Sequence, residues 1–178
     1  MREVVGARRL GAIGRAIQEE ANNLGLGNPH RAARDQHTWS FVERYDANVS
    51  NGALREATRA LFVNGHYAQA VGEGFKCLNN LVKAKSGLQS ADGDSLMRTV
   101  FSPVKPILRL NSLESSSERD EQKGYMDIYA GVMTGVRNPR AHQHELGDDP
   151  ETAIELLTVA NHLARKLNSA RKRRKAKP

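Results

Sequence analysis

Between Tyr67 and Val82 the apolar residues recur at three- and four-residue steps: Tyr67, Ala70, Val71, Phe75, Leu78, Leu81 and Val82. That is the period of one face of an α-helix, not of a strand. The same spacing appears in Leu54, Ala57, Leu61 and Phe62, in Tyr125, Ile128, Tyr129, Val132, Met133 and Val136, and in Ile154, Leu157, Ala160, Ala164 and Leu167. Leu10, Ile13, Ile17, Ala21 and Leu24 repeat it near the N-terminus. Val, Ile and Thr alternate over no useful length. The chain is therefore expected to be all-α, an antiparallel helical bundle with short connections.

Punctuation residues place the boundaries. Gly25 and Gly27 end the N-terminal helix, and Asn28–Ser40 reads as a linker, with Trp39, Phe41 and Val42 available to dock it. Ser50 or Asn51 caps the next helix. Asn64-Gly65 interrupts, and Ser86-Gly87 stops the long helix that begins near Tyr67. Gly72 and Gly74 lower that helix's intrinsic propensity, so packing must hold it. Asp94–Phe101 is expected to form one or two turns. The helix of Glu118–Arg137 should end near Arg137, because Pro139 disfavours helix at Asn138. Asp149-Pro150-Glu151 opens the last helix, a cap followed by proline in the first turn. The expected organisation is an N-terminal helix and linker over 1–49, a helical domain over 50–170 and a disordered basic tail over 171–178.

Composition narrows the function classes. The single cysteine, Cys77, excludes an intramolecular disulfide framework and a cysteine zinc site. No apolar run approaches the ~18 residues of a membrane span, and the N-terminus lacks the apolar core of a secretory signal, so a cytoplasmic protein is expected. The net charge of +7 is unevenly placed: RKRRKAKP at the C-terminus holds six of the basic residues, and residues 51–170 sum to zero. The body is not a strongly basic surface by composition. The tail reads as a solubilising end, with salt-sensitive, nonspecific nucleic-acid affinity as the alternative.

The most unusual local text is Gly135-Val136-Arg137-Asn138-Pro139-Arg140-Ala141-His142-Gln143-His144. A proline-broken turn after Arg137 would fold His142 back toward the guanidinium. Arginine offers a permanent charge and paired donors suited to phosphate. Histidine titrates near neutrality and serves as general acid or base. Together they suit RNA strand cleavage, in which the 2′-OH is the nucleophile and the protein supplies proton transfer and charge stabilisation. On spacing alone, a helix-end arginine and an ordinary surface histidine are the simpler reading. Arg140 reads as a solvated side chain or an RNA-backbone contact. Tyr125 and Tyr129 read as core. His142 and His144 with Asp148 or Asp149 make no recognised ligand spacing, so no metal or cofactor is expected.

Arg137-Asn138-x-x-x-His142 matches the Arg-x(4–6)-His motif of HEPN domains. Around it, Tyr67–Lys83 (YAQAVGEGFKCLNNLVK), Asp92-Gly93-Asp94-Ser95-Leu96-Met97, Phe101-Ser102-Pro103, Leu108-Arg109-Leu110-Asn111, Glu121–Met126 (EQKGYM) and Asp149-Pro150-Glu151 follow in order. This text resembles the Ymh-type branch of HEPN proteins of bacteria and phages. The resemblance implies a HEPN-like bundle that dimerises, and a metal-independent RNase at the dimer cleft, of the kind used in toxins, abortive infection and phage defence. Carried over, Arg137 would grip the scissile phosphate, His142 would transfer the proton, and Asn138 would orient the pair. Glu73, on the flank of its helix that carries His66, would hold Arg137 or His142; an ordinary solvated glutamate is the alternative. Lys76, Arg140 and His144 are the further candidates for RNA contact. His144 stands where HEPN domains with a nucleotidyltransferase antitoxin tend to have tyrosine, which argues against that partner. RNA, a second copy of the chain and some antitoxin or defence protein are the partners implied. The alternatives are a non-catalytic nucleotide- or RNA-binding or dimerisation module, and a DNA-associated regulator for which no helix-turn-helix signal is present.

Overall fold

The computed structural model describes residues 40–142 and 147–172. The helix expected over 8–24, the linker through Trp39, and residues 173–178 lie outside the described residues. The described residues form an all-α helical bundle with a minor two-stranded ribbon.

Helix α1 is Phe41–Asn48, opened by a capping box in which Ser40 and Glu43 satisfy each other's backbone N–H groups. It lies just past the Asn28–Ser40 linker, within the 1–49 stretch expected to hold only the N-terminal helix and linker. Tyr45, not Phe41, docks it: Tyr45 is fully buried, stacks on Phe62 at 4.7 Å and shares a 2.7 Å hydrogen bond with Thr58. Helix α2, Gly52–Val63, is capped by the Asn51 side chain, as expected. The Asn161 side-chain oxygen accepts from the backbone N–H groups of Ser50 and Asn51, so the last helix fixes where α2 begins.

Helix α3, Tyr67–Ser86, is the axis of the bundle. It packs on α2, on α4 (Gly93–Val100), on the segment after α5 (Ser116–Val132) and on α7 (Pro150–Ser169). Gly74 explains its glycines in part: a Cβ there would stand 2.7 Å from Leu157 Cδ2 and 3.3 Å from Thr58 Cγ2. The missing side chain lets α3 approach α7. Gly87, at φ +78°, ends α3 in the left-handed conformation that favours glycine.

Between α4 and α5 the chain runs through Pro103 and Pro106 to β1, Leu108–Arg109. Gln122 organises this irregular stretch from within the core. Its oxygen accepts from Leu110 N at 2.9 Å, and its amide donates to the carbonyls of Phe101 at 2.9 Å and Leu108 at 3.1 Å. Tyr129 stacks on Phe101 at 4.4 Å and donates to the Leu163 carbonyl at 2.6 Å, tying α5 to α7. Helix α7 starts on the Asp149 cap with Pro150 in its first turn, and Ile154, Leu157, Ala160, Ala164 and Leu167 are all buried.

Two local expectations are corrected. The tail does not leave the body at residue 171: Arg171–Lys172 form β2, antiparallel to β1, with Leu108 opposite Lys172 and Arg109 opposite Arg171. Strands of two residues are too short to carry an alternating pattern. The helix through Arg137 also does not end there. Met133–Arg137 widens into a π-helical turn, and α6, Asn138–His142, continues from it. Asn138 is helical at φ −64°, ψ −44°, and its N–H reaches back to the Met133 carbonyl. The wider turn restarts the helix so that Pro139 falls in a first turn, where a missing donor costs little.

Candidate functional site

The π-helical turn sets Arg137 against α3 and α4. Its guanidinium lies 3.7 Å from the Asp92 carboxylate and 3.3 Å from the side-chain oxygen of Asn138. The side chain is 26 % exposed, so the cation is partly desolvated and still open to a ligand. Asn138 thus contacts Arg137.

Asp92 is itself held. The Asn79 amide donates to it at 2.6 Å, and Lys83 lies 3.4 Å away. Asn79 is 2 % exposed on the core face of α3, and its carbonyl oxygen accepts from Gly93 N at 3.0 Å. Gly93 sits at φ +54°, with the Arg137 guanidinium 4.0 Å from where a Cβ would stand. Partial burial works to raise the Asp92 carboxyl. The Asn79 and Gly93 hydrogen bonds and the charges of Lys83 and Arg137 outweigh it and hold the group below the usual carboxylate range. The anchor of Arg137 is therefore Asp92.

Glu73 does not bond Arg137. Its carboxylate takes Lys76 at 3.2 Å, one turn along α3, and is 40 % exposed. Both residues nevertheless border the cleft that Arg137 enters, a space of about 280 Å³ also lined by Gln69, Arg140 and Ala141. The cleft is bordered by three cations, Lys76, Arg137 and Arg140, and one carboxylate, Glu73. His66 lies at the N-terminal end of α3, on the cap position, with no side-chain cap bond.

Arg140 departs from its expected solvated state. Its side chain is 9 % exposed and makes two 2.7 Å bonds to Asp148, itself 7 % exposed. A third bond, 2.9 Å to the Val136 carbonyl, ties α6 to the π-helical turn. The Arg140 guanidinium is committed to Asp148 and the Val136 carbonyl, although the residue also borders the cleft. Asp148 is occupied by this pair and Asp149 by the cap of α7. Among the described residues no cluster of His, Cys, Asp and Glu could hold a metal.

His142 closes α6 by its backbone; its side chain, and residues 143–146 with His144, lie outside the described residues. The fold-back turn expected between Arg137 and His142 is replaced by continuing helix. Tyr129 is core as expected, whereas Tyr125 is only half-buried. It bonds His162 Nε2 at 2.9 Å and lies under Lys166 at 4.6 Å from its ring.

Reading along the chain missed Asp92 and Asn79. Asn79 carried a usable signal: it is a polar residue between Phe75, Leu78 and Val82 on an apolar face, where a buried amide needs partners.

No curated protein and no solved structure matches the chain. A family model described as "Protein of unknown function (Hypoth_ymh)" matches residues 50–167, which span the cleft, its anchor Asp92 and the Arg137–His142 segment. The chain belongs to the Hypoth_ymh family.

Proposed function

We propose that this chain is a metal-independent endoribonuclease of HEPN type, acting through Arg137 and His142 in a cleft shared by two copies of the chain, in the cytoplasm, as a toxin or phage-defence effector. The observation that carries the reading is the state of Arg137: a half-open cation, anchored by Asp92 and Asn138 at a cleft it shares with Lys76. A guanidinium held in place before the substrate arrives costs no reorganisation when charge develops on a phosphorane. RNA brings its own nucleophile. His142 takes the 2′-OH proton as the 2′-oxygen attacks phosphorus, the 5′-oxygen leaves with a proton from a second acid, and a 2′,3′-cyclic phosphate and a 5′-OH remain.

The second acid argues for the second copy. One chain has one motif histidine, and the pair lies five residues apart on continuing helix, outside the three- and four-residue steps that make helix neighbours. A twofold interface supplies another Arg137 and His142 to one cleft. Lys76 would meet an adjacent phosphate, and Glu73 would release it on binding.

The test is cleavage of a labelled single-stranded RNA by the purified chain in EDTA. His142→Ala and Arg137→Ala are each expected to abolish cleavage while the fold and dimer persist. Cleavage by pure His142→Ala at the wild-type rate overturns the assignment. RNA binding by the wild type without turnover would make the chain a non-catalytic RNA- or nucleotide-binding module instead.

A further inference from the structure

Most cations of the described bundle are answered by carboxylates. Arg44 pairs with Glu151, Arg55 and Arg59 with Asp46, Arg98 with Asp94 and Asp127, and Lys166 with Glu121. The β1–β2 ribbon is different. Arg109 and Arg171 stand directly opposite each other, and Lys172, the next residue, pairs with buried Leu108 on the other face of the ribbon. Directly paired residues of an antiparallel ladder project on the same face, and like charges there work against pairing. Among the described residues no carboxylate pairs with Arg109, Arg171 or Lys172, and Arg109 Nε is buried with no hydrogen-bond partner. An anion seated between the two guanidinium groups would turn their repulsion into attraction.

The ribbon is connected to the cleft. Lys172 Nζ lies over Gly87, 3.2 Å from where a Cβ would stand. One turn earlier on α3, Lys83 reaches Asp92, which also holds Arg137. Lys76, Lys83 and the ribbon thus follow one another along α3 over about 16 Å, from the mouth of the cleft to the C-terminal end of the helix. The sequence beyond the ribbon adds Arg173, Arg174, Lys175 and Lys177.

We infer that the β1–β2 ribbon, through the Arg109–Arg171 pair on one face with Lys172 at its edge, is a docking surface for the phosphate backbone of RNA. This rests on the ribonuclease reading for the choice of RNA among polyanions. A membrane surface fits less well, because a peripheral membrane contact wants exposed apolar anchors beside the cations and Leu108 is fully buried. The ribbon offers charge without base-reading groups. It positions the strand and leaves sequence choice to the cleft.

The test measures binding of a fluorescein-labelled single-stranded RNA of about 20 nucleotides by anisotropy, from low to moderate salt. The full-length chain carries His142→Ala so that the probe survives. Adding R109Q, R171Q and K172Q should weaken binding about tenfold and flatten the slope of log affinity against log salt by about 2, as expected when three phosphate contacts to a single strand are lost. Unchanged affinity and slope in a folded triple variant overturn the inference. If the triple variant does not fold, R171Q/K172Q, at two exposed positions, carries the same test with a smaller change. Phosphatidylserine-containing vesicles form the second arm: vesicle binding lost in the variant with RNA affinity intact assigns the ribbon to membrane and overturns the inference. Cleavage by the unsubstituted chain is scored separately. Ribbon-dependent binding without cleavage refutes the ribonuclease reading alone; cleavage with ribbon-independent binding refutes the ribbon alone.

Discussion

The Asp92 carboxylate lies 3.7 Å from the Arg137 guanidinium and is held in turn by the buried Asn79 amide at 2.6 Å. The anchor reaches Arg137 from the loop before α4, so a change at Asp92 moves the cation without touching the motif. Asp92→Asn keeps the size and loses the charge. It is expected to lower kcat for RNA cleavage about ten- to hundredfold, the scale of a misplaced catalytic group, with KM changed far less. Asp92→Glu should restore part of the loss. A merely structural role would instead lower the melting temperature of both variants alike and leave the kcat of the folded fraction unchanged.

Arg140 and Asp148 form a pair that is nearly closed to solvent. Breaking a buried pair from one side leaves an uncompensated charge, which costs about 3–5 kcal/mol. Asp148→Ala should therefore lower stability by that order in chemical denaturation. Arg140→Leu combined with Asp148→Leu should recover most of it, since apolar replacements of a buried pair are often neutral. RNA affinity should be unaffected in the double variant. A loss of affinity there, at retained stability, would return Arg140 to the RNA interface.

What was legible along the chain was local. Asn51, Ser86-Gly87 and Asp149-Pro150 mark helix ends because a cap is a contact within a few residues, and each appears where the text places it. The apolar stripes of the described residues are equally local, and their faces are buried or half-buried except at Ile128 of α5, which is 47 % exposed. The misreadings needed partners far away or a register that no short window contains. Pro139 reads as a stop until the π-helical turn shifts the helix under it. Arg140 reads as surface until Asp148, eight residues on, closes over it. Asp92 and Arg137 are 45 positions apart in the sequence, and only the packing of α3, α4 and the π-helical turn brings them together. Arg137 and His142 stand out in the local sequence and Asn138 in the resemblance, whereas the residues that hold Arg137 are visible in neither.

Gly74 and Gly124 should respond to alanine in opposite directions. Both are within helices, so each gains about 0.5–1 kcal/mol of helix preference. At Gly124 a Cβ meets nothing within 4 Å, and the gain should be realised as a higher melting temperature. At Gly74 the Cβ would sit 2.7 Å from fully buried Leu157. Overpacking of that kind costs about 1–3 kcal/mol, so Gly74→Ala should be the less stable protein by about 1–2 kcal/mol. Equal shifts of the same sign would show that α3 and α7 are not in the close contact described.

The pH dependence of stability follows from carboxylates held by cations and caps. The bond from Arg59 lowers Asp46 against a smaller opposing effect of burial, the bond from Lys166 lowers Glu121, and the Thr152 backbone N–H lowers Asp149. In the unfolded chain such groups titrate near 4. Between the depressed folded value and that value the unfolded chain binds more protons, so stability rises with pH through this window. Their contribution is complete above about pH 5 and is lost as pH falls toward 3 and below. The buried tyrosines act at the other end. Burial raises both Tyr129 and Tyr45 above the ordinary phenol range. The unfolded chain then loses its phenolic protons first, near pH 10, and stability falls as pH rises beyond that point. Melting temperatures measured from pH 3 to pH 11 should therefore trace a plateau with an acid edge below about 5 and a basic edge above about 10. Asp46→Asn and Glu121→Gln together should shrink the acid edge and leave the basic edge in place; an acid edge of unchanged height would mean that these pairs do not contribute to it.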